Sequence, residues 1–110
     1  MVEVAVLTVP ECPNARLVDE RLAIAAAGMA EIRVVRRVIH DEREAAALGM
    51  RGSPTLLIDG ADPFAAPGEP TSMSCRLYRQ ADGSAAGAPP AEALRRALVG
   101  GGQAGGAGGG

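Results

Sequence analysis

Aromatic residues are almost missing from this chain of 110 residues, which has one Phe, one Tyr and no Trp. Proteins that bind single strands of nucleic acid stack the bases on aromatic rings, so that class of function has little support. A basic surface is missing too, because 11 Lys and Arg residues face 13 Asp and Glu residues and the net charge is −2. We therefore expect no nucleic acid among the partners.

Long apolar runs are also absent. No stretch of the sequence approaches the ~20 apolar residues of a membrane-spanning helix. The first residues have the pattern of a strand and not that of a signal peptide. We expect a monomeric cytoplasmic protein that makes no membrane contact.

Cysteine and histidine are scarce, with only Cys12, Cys75 and His40 in the chain. Their separation matches no zinc-ligand spacing, so no metal site is predicted. In a cytoplasmic protein, two cysteines are more typical of reactive or reduced thiols than of a structural disulfide.

Apolar residues are plentiful, at 47% of the chain, which is enough for the core of one small domain. We predict this domain at residues 1–99. Residues 100–110 are almost all Gly, and we expect them to form a disordered tail.

Apolar periodicity predicts an α/β domain with the element order β-α-β-α-β-β-α. The predicted strands are residues 2–8, 31–39, 55–59 and 75–79, and the predicted helices are about 13–28, 42–48 and a last helix from Pro90 to Gly100. The first β-α-β unit requires a parallel strand pair, and the last two strands are expected to be antiparallel. The prediction is a four-stranded mixed sheet with helices on both faces.

Two polar patterns refine this prediction. Arg33, Arg36 and Arg37 interrupt the second strand, which is typical of a strand at the edge of a sheet. Asp41 followed by Glu44 has the spacing of a capping box and predicts the start of the second helix.

Cys12 comes after the first strand and a break at Val9-Pro10-Glu11, and it is followed by Pro13, which suits the first turn of a helix. Backbone N–H groups and the dipole at a helix N-terminus favour the thiolate, the nucleophilic form of cysteine. The neighbouring carboxylate of Glu11 opposes this effect. The sequence therefore predicts Cys12 as a reactive thiol and the candidate catalytic residue.

Residues 8–15 (Thr-Val-Pro-Glu-Cys-Pro-Asn-Ala) and residues 49–60, in which Gly-Ser-Pro-Thr precedes an apolar strand, resemble the thioredoxin-like superfamily. The resemblance implies a cis Pro54 that faces the thiol and a Ser53 backbone that hydrogen-bonds a substrate strand. Pro13, Ser53 and Pro54 are thus the implied substrate-binding residues. Dithiol members have a second cysteine where this chain has Ala15, so a monothiol redox protein is implied. An external thiol, glutathione or another low-molecular-weight thiol, would replace the missing cysteine, and no other cofactor is expected.

Two other functions stay open. The chain also resembles short bacterial proteins that carry Cys-Pro-Asn-Ala and Ser-Cys-Arg-Leu-Tyr and are variously labelled thioredoxin family protein or alkylmercury lyase. The second label implies a cysteine pair acting on a carbon–mercury bond. Ala15 stands where those lyases have an Asp. The third function is a binding or adaptor module for a partner protein, without turnover, so enzymatic activity itself is left open.

Cys75 is the candidate for a second thiol. If the last two strands are antiparallel, Cys75 begins its strand at the end of the sheet opposite Cys12, more than about 10 Å away at ~3.3 Å per residue. A disulfide requires Cα atoms within about 7 Å. We therefore expect Cys75 to be a half-buried strand residue that does not pair with Cys12.

Overall fold

The structure is a computed structural model that describes residues 1–100. Along the chain the elements are β1 (Val2–Thr8), α1 (Ala15–Ala25), β2 (Ile32–Val38), α2 (Glu42–Leu48), β3 (Arg51–Ser53), β4 (Thr55–Ile58), β5 (Ser72–Cys75), β6 (Tyr78–Arg79), β7 (Ala85–Ala86) and α3 (Ala91–Val99). The predicted disordered tail, residues 100–110, lies outside the described part except for Gly100, which is the C-cap of α3. No helix within residues 1–100 has the length and apolar character to cross a membrane.

The central sheet is mixed and has three strands in the order β2-β1-β4. β1 is parallel to β2 and antiparallel to β4. β2 is an edge strand, as its arginines predicted, and Arg36 and Arg37 bind the carboxylates of Asp19 and Glu44 at 3.1 and 3.0 Å. The order places β1, which leads to Cys12, in the middle of the sheet.

Helices cover both faces of this sheet, as predicted. Because side chains alternate along a strand, β1 directs Val4 and Val6 to one face and Leu7 to the other. The first face packs against α1 and α3, and the second packs against α2. The buried residues of the first face are Val4, Val6, Val18, Leu22, Ala25, Leu56, Ile58, Ala88, Leu94, Ala97 and Leu98, and those of the second are Leu7, Ile39, Ala45 and Met50.

The start of α2 confirms the capping prediction. Asp41 accepts a hydrogen bond from the Glu44 N–H at 2.8 Å, and Glu44 accepts one from the His40 N–H at 3.0 Å. The hydrogen bond from His40, followed by that from Arg37, lowers the pKa of Glu44. The helix ends at Gly49, whose φ of 77° is left-handed.

The predicted fourth strand is wrong as a single element. Of residues 75–79, Cys75 ends β5, which pairs in parallel with β3, and Tyr78 begins β6, which pairs with β7. Neither strand extends the central sheet beyond β4, so the predicted four-stranded sheet does not form among residues 1–100. The alternating pattern of residues 75–79 is typical of strand conformation, but it carries no information about which strand is the neighbour.

Candidate functional site

A tight turn presents Cys12 at the end of β1. The Cys12 N–H donates to the Val9 carbonyl at 3.2 Å, which closes a four-residue turn with Pro10 in its second position. Glu11 occupies the third position with a φ of 58°. A type II turn requires positive φ there and normally uses Gly. The turn leaves Cys12 partly exposed.

The helix after Cys12 starts later than predicted. α1 begins at Ala15 with Asn14 as its N-cap, and the Ala15 N–H donates to the Cys12 carbonyl at 3.2 Å. Pro13 is exposed and precedes the helix instead of lying in its first turn. Because the dipole effect falls off within a turn, Cys12 benefits less from the helix than the sequence predicted.

Ser53 is the residue that contacts the thiol. Its hydroxyl donates to Cys12 Sγ at 3.0 Å, and the same oxygen accepts the Val9 N–H at 3.0 Å. Ser53 is only 2% exposed, and the Ser53–Pro54 peptide bond is cis. With Val9 donating to the oxygen, the hydroxyl proton is directed at the sulfur. The structure therefore brings Cys12, Ser53 and Pro54 together.

The Ser53 backbone does not have the free edge that the resemblance implied. Its carbonyl accepts the Arg76 N–H at 3.1 Å, and β5 pairs with β3 along this edge. The side-chain contact between Ser53 and Cys12 was not predicted, because the resemblance implied only a backbone role for Ser53. The hydroxyl side chain directly before Pro54 was the only signal for it.

The prediction that Cys75 lies at the end of the sheet opposite Cys12 is wrong. Residues 60–71 lead the chain back so that β5 begins beside β3 and runs parallel to it, which pairs Cys75 with Ser53. Neighbouring strands are about 4.8 Å apart. Cys75 therefore lies beside the residue that contacts Cys12, and it is exposed instead of half-buried. Both thiols are free.

A cluster of buried polar side chains, Asp62, Arg76 and Tyr78, packs next to Ser53 and Pro54. Arg76 and Asp62 form an ion pair at 2.7 Å, with side chains 7% and 2% exposed. The Arg76 guanidinium also lies 4.6 Å from the centre of the Tyr78 ring. Tyr78 donates its hydroxyl to the Pro54 carbonyl, and burial raises the pKa of Tyr78 well above its usual value. The hydroxyl therefore stays protonated and continues to donate.

This cluster was not predicted either. No local pattern in the sequence indicated it, because the ion pair joins residues from separate segments of the chain. Among residues 1–100 no three His, Cys, Asp or Glu side chains are grouped so that they hold a metal ion. Comparisons of the chain with protein-family models, curated proteins and solved structures find no match.

Proposed function

We propose that the protein is a thioredoxin-like monothiol redox protein in which Cys12 carries out thiol–disulfide exchange. The observation that carries the proposal is the 3.0 Å contact between the Ser53 hydroxyl and Cys12 Sγ. A hydrogen bond donated to sulfur stabilises the thiolate more than the thiol, and the thiolate is the nucleophile. The partial exposure of Cys12 gives a substrate access to the sulfur.

The thioredoxin-like fold belongs to the same proposal. It is supported by the strand order β2-β1-β4 and by α1 and α3 lying on one face with α2 on the other. The thiol in the turn that follows β1 and the Ser53–Pro54 pair directly before β4 also support it.

Because Ala15 stands where dithiol proteins have a second cysteine, the proposed reaction uses Cys12 and an external thiol. The Cys12 thiolate attacks one sulfur of a disulfide, which forms a mixed disulfide and releases the other half as a thiolate that takes a proton from water. A low-molecular-weight thiol such as glutathione then attacks the mixed disulfide as its thiolate. Cys12 is released as its thiolate, and the low-molecular-weight thiol leaves joined to the substrate sulfur by a new disulfide bond. The cytoplasm supplies such thiols.

The test is the rate at which oxidised glutathione adds to Cys12 in a Cys75→Ser background, followed by intact mass. We expect one glutathione per chain. Adding Ser53→Ala should slow the reaction at neutral pH about four-fold or more. A hydrogen bond to a charged group stabilises that group by about 1.5–3 kcal/mol. Part of the loss is offset because the Cys12 thiolate without this hydrogen bond is intrinsically more nucleophilic.

Two variants control for structure. Ser74→Ala removes the hydroxyl of an exposed serine in β5 and should leave the rate unchanged. Ser53→Thr keeps the hydroxyl and should restore most of the rate, which separates loss of the hydrogen bond from loss of the fold. Absence of any adduct on Cys12 in the folded protein would contradict the redox function and leave a binding module.

Thiol-based handling of soft metal ions is the second candidate. It requires Cys12 and Cys75 to lie close together. Cys75 is opposite Ser53 in the β3–β5 strand pair, which places it nearer to Cys12 than the sequence predicted and favours this candidate. A loss of two mass units from the wild-type chain during the glutathione experiment would show that the two sulfurs bridge. That result would contradict a purely monothiol mechanism.

A further inference from the structure

A cavity of about 510 Å³ opens beside β5, and Cys75 lies in its wall. Cavities of this size accommodate small molecules. Cys75 is exposed, so its thiol is accessible from solvent. Cys12 is not part of the wall, and the cavity is therefore a place distinct from the Cys12 site.

The charged residues of the wall are mainly basic. Arg51, Arg76 and Arg79 line the cavity, and Glu69 is the carboxylate among the lining residues. Asp62, behind the wall, neutralises Arg76 through their buried ion pair. Counting both carboxylates against the arginines leaves 3 − 2 = 1 positive charge.

Arg51 and Arg79 supply the charge available to a ligand. Arg51 donates to the carbonyls of Glu69 and Gly49, which are uncharged partners. Arg79 is exposed, and neither arginine forms a salt bridge within the described part of the chain. The carboxylate of Glu69 accepts the Ala66 N–H. Phe64 and Leu77 add apolar surface to the same wall.

We propose that this cavity binds a small disulfide that bears carboxylate groups and presents its sulfur–sulfur bond to Cys75. Arg51 and Arg79 attract the carboxylates, while the apolar wall contacts the carbon chain. The Cys75 thiolate attacks one ligand sulfur and forms a mixed disulfide. The ligand's own disulfide bond breaks, and its other half leaves as a thiolate that takes a proton from water. Cys75 is oxidised and the ligand is the oxidant.

The test uses the full chain with Cys12→Ser, so that Cys75 is the reacting thiol. Rates of adduct formation are measured by intact mass with three small disulfides: anionic dithiodiglycolate, neutral bis(2-hydroxyethyl) disulfide and cationic cystamine. Each rate is divided by the rate of the neutral model thiol N-acetylcysteine amide with the same reagent. We expect the normalised rates to fall from the anionic to the neutral to the cationic disulfide.

Charge variants then locate the effect. Arg79→Ala should lower the ratio of anionic to neutral rates about two- to five-fold, the range expected for one exposed charge pair. Arg43→Ala removes the same charge from the exposed surface of α2 and should leave the ratio unchanged. Equal normalised rates for all three disulfides would overturn the proposal, as would an equal fall in the ratio for Arg43→Ala. The proposal does not depend on Cys12, whose reactivity is measured separately with Cys75→Ser.

Discussion

Two single residues determine how Cys12 is presented. Glu11 holds a backbone conformation that Gly normally occupies, at a φ of 58°. Ser53 donates its hydroxyl to the sulfur from a buried position. A non-Gly residue at positive φ that lies next to a reactive group is a common feature of functional sites. Glu11 acts through its backbone conformation and Ser53 through its contact with the sulfur, and neither effect can be recognised from the residue type.

The Glu11 conformation predicts the effect of Glu11→Gly. Left-handed φ costs a residue with a Cβ about 1–2 kcal/mol, while Gly loses about 0.5–1 kcal/mol more backbone entropy on folding. We expect a net gain of about 0.5–1 kcal/mol in the free energy of unfolding, as the difference between these terms, measured by urea denaturation.

The matched control is Glu20→Gly, the same change at an exposed position inside α1. It should lower the free energy of unfolding by about 1 kcal/mol. A destabilisation by Glu11→Gly as large as that of Glu20→Gly would contradict the strained turn.

At the scale of elements, α2 was predicted with its bounds and its cap because all the signals are local. Asp41, Glu44 and Gly49 lie within one short segment and contact the backbone of that same segment. The start of α1 has no such local cap, because the Asn14 side chain makes no capping hydrogen bond. Asn14, its N-cap, packs against Gly87, where an added Cβ would lie 2.1 Å from the Asn14 Cγ. Such contacts between distant segments cannot be recognised in local patterns.

The cap of α2 predicts a pH dependence of stability. Glu44 has a lowered pKa in the folded protein because it accepts the His40 N–H and binds Arg37. A lowered folded-state pKa contributes stability above the ordinary value of 4.5, and this contribution is lost as the pH falls below that value. Glu44→Gln should therefore lower the melting temperature at pH 7 and have little effect at low pH.

The control is Glu42→Gln, which removes a neighbouring carboxylate in the first turn of α2. The Glu42 carboxylate takes no part in the hydrogen bonds with His40 and Arg37, so Glu42→Gln should lower the melting temperature at pH 7 less than Glu44→Gln does. If Glu44→Gln lowered the melting temperature equally at pH 7 and at low pH, the ionised carboxylate would not be the stabilising group.

At the scale of the whole molecule, one ion pair holds separate segments together. Asp62 lies in the segment between β4 and β5, and Arg76 follows β5 and hydrogen-bonds the Ser53 carbonyl. Arg76 also lies over Tyr78, which binds the Pro54 carbonyl. The pair therefore connects the segment between β4 and β5 to Ser53 and Pro54, the residues beside Cys12.

Removing one member of this pair should be costly. Asp62→Asn leaves a buried guanidinium without its counter-charge, and we expect the free energy of unfolding to fall by about 3–5 kcal/mol. Asp19→Asn breaks the exposed pair with Arg36, which has a similar distance of 3.1 Å, and should cost less than about 1 kcal/mol. Equal losses in the two variants, measured by urea denaturation, would show that burial of the Arg76–Asp62 pair does not matter.

The sequence by itself determined the α/β class, the helices on both faces, the edge position of β2 and the cap of α2. These features follow from periodicity and from hydrogen bonds within short segments, which are present in the linear order of residues. The sequence also indicated Cys12 as a candidate from its place between a strand and a helix, and the resemblance to the thioredoxin-like superfamily indicated Ser53 and Pro54.

Only the tertiary structure decided what those residues contact. The direction of β5, the hydroxyl of Ser53 on Cys12, and the burial of Arg76 against Asp62 each join residues at least 14 positions apart in the chain. Alternation along a strand fixes which face a side chain takes, but the neighbouring strand is chosen by packing of the whole molecule. For this reason the thiol was found in the sequence, and its surroundings were found only in the fold.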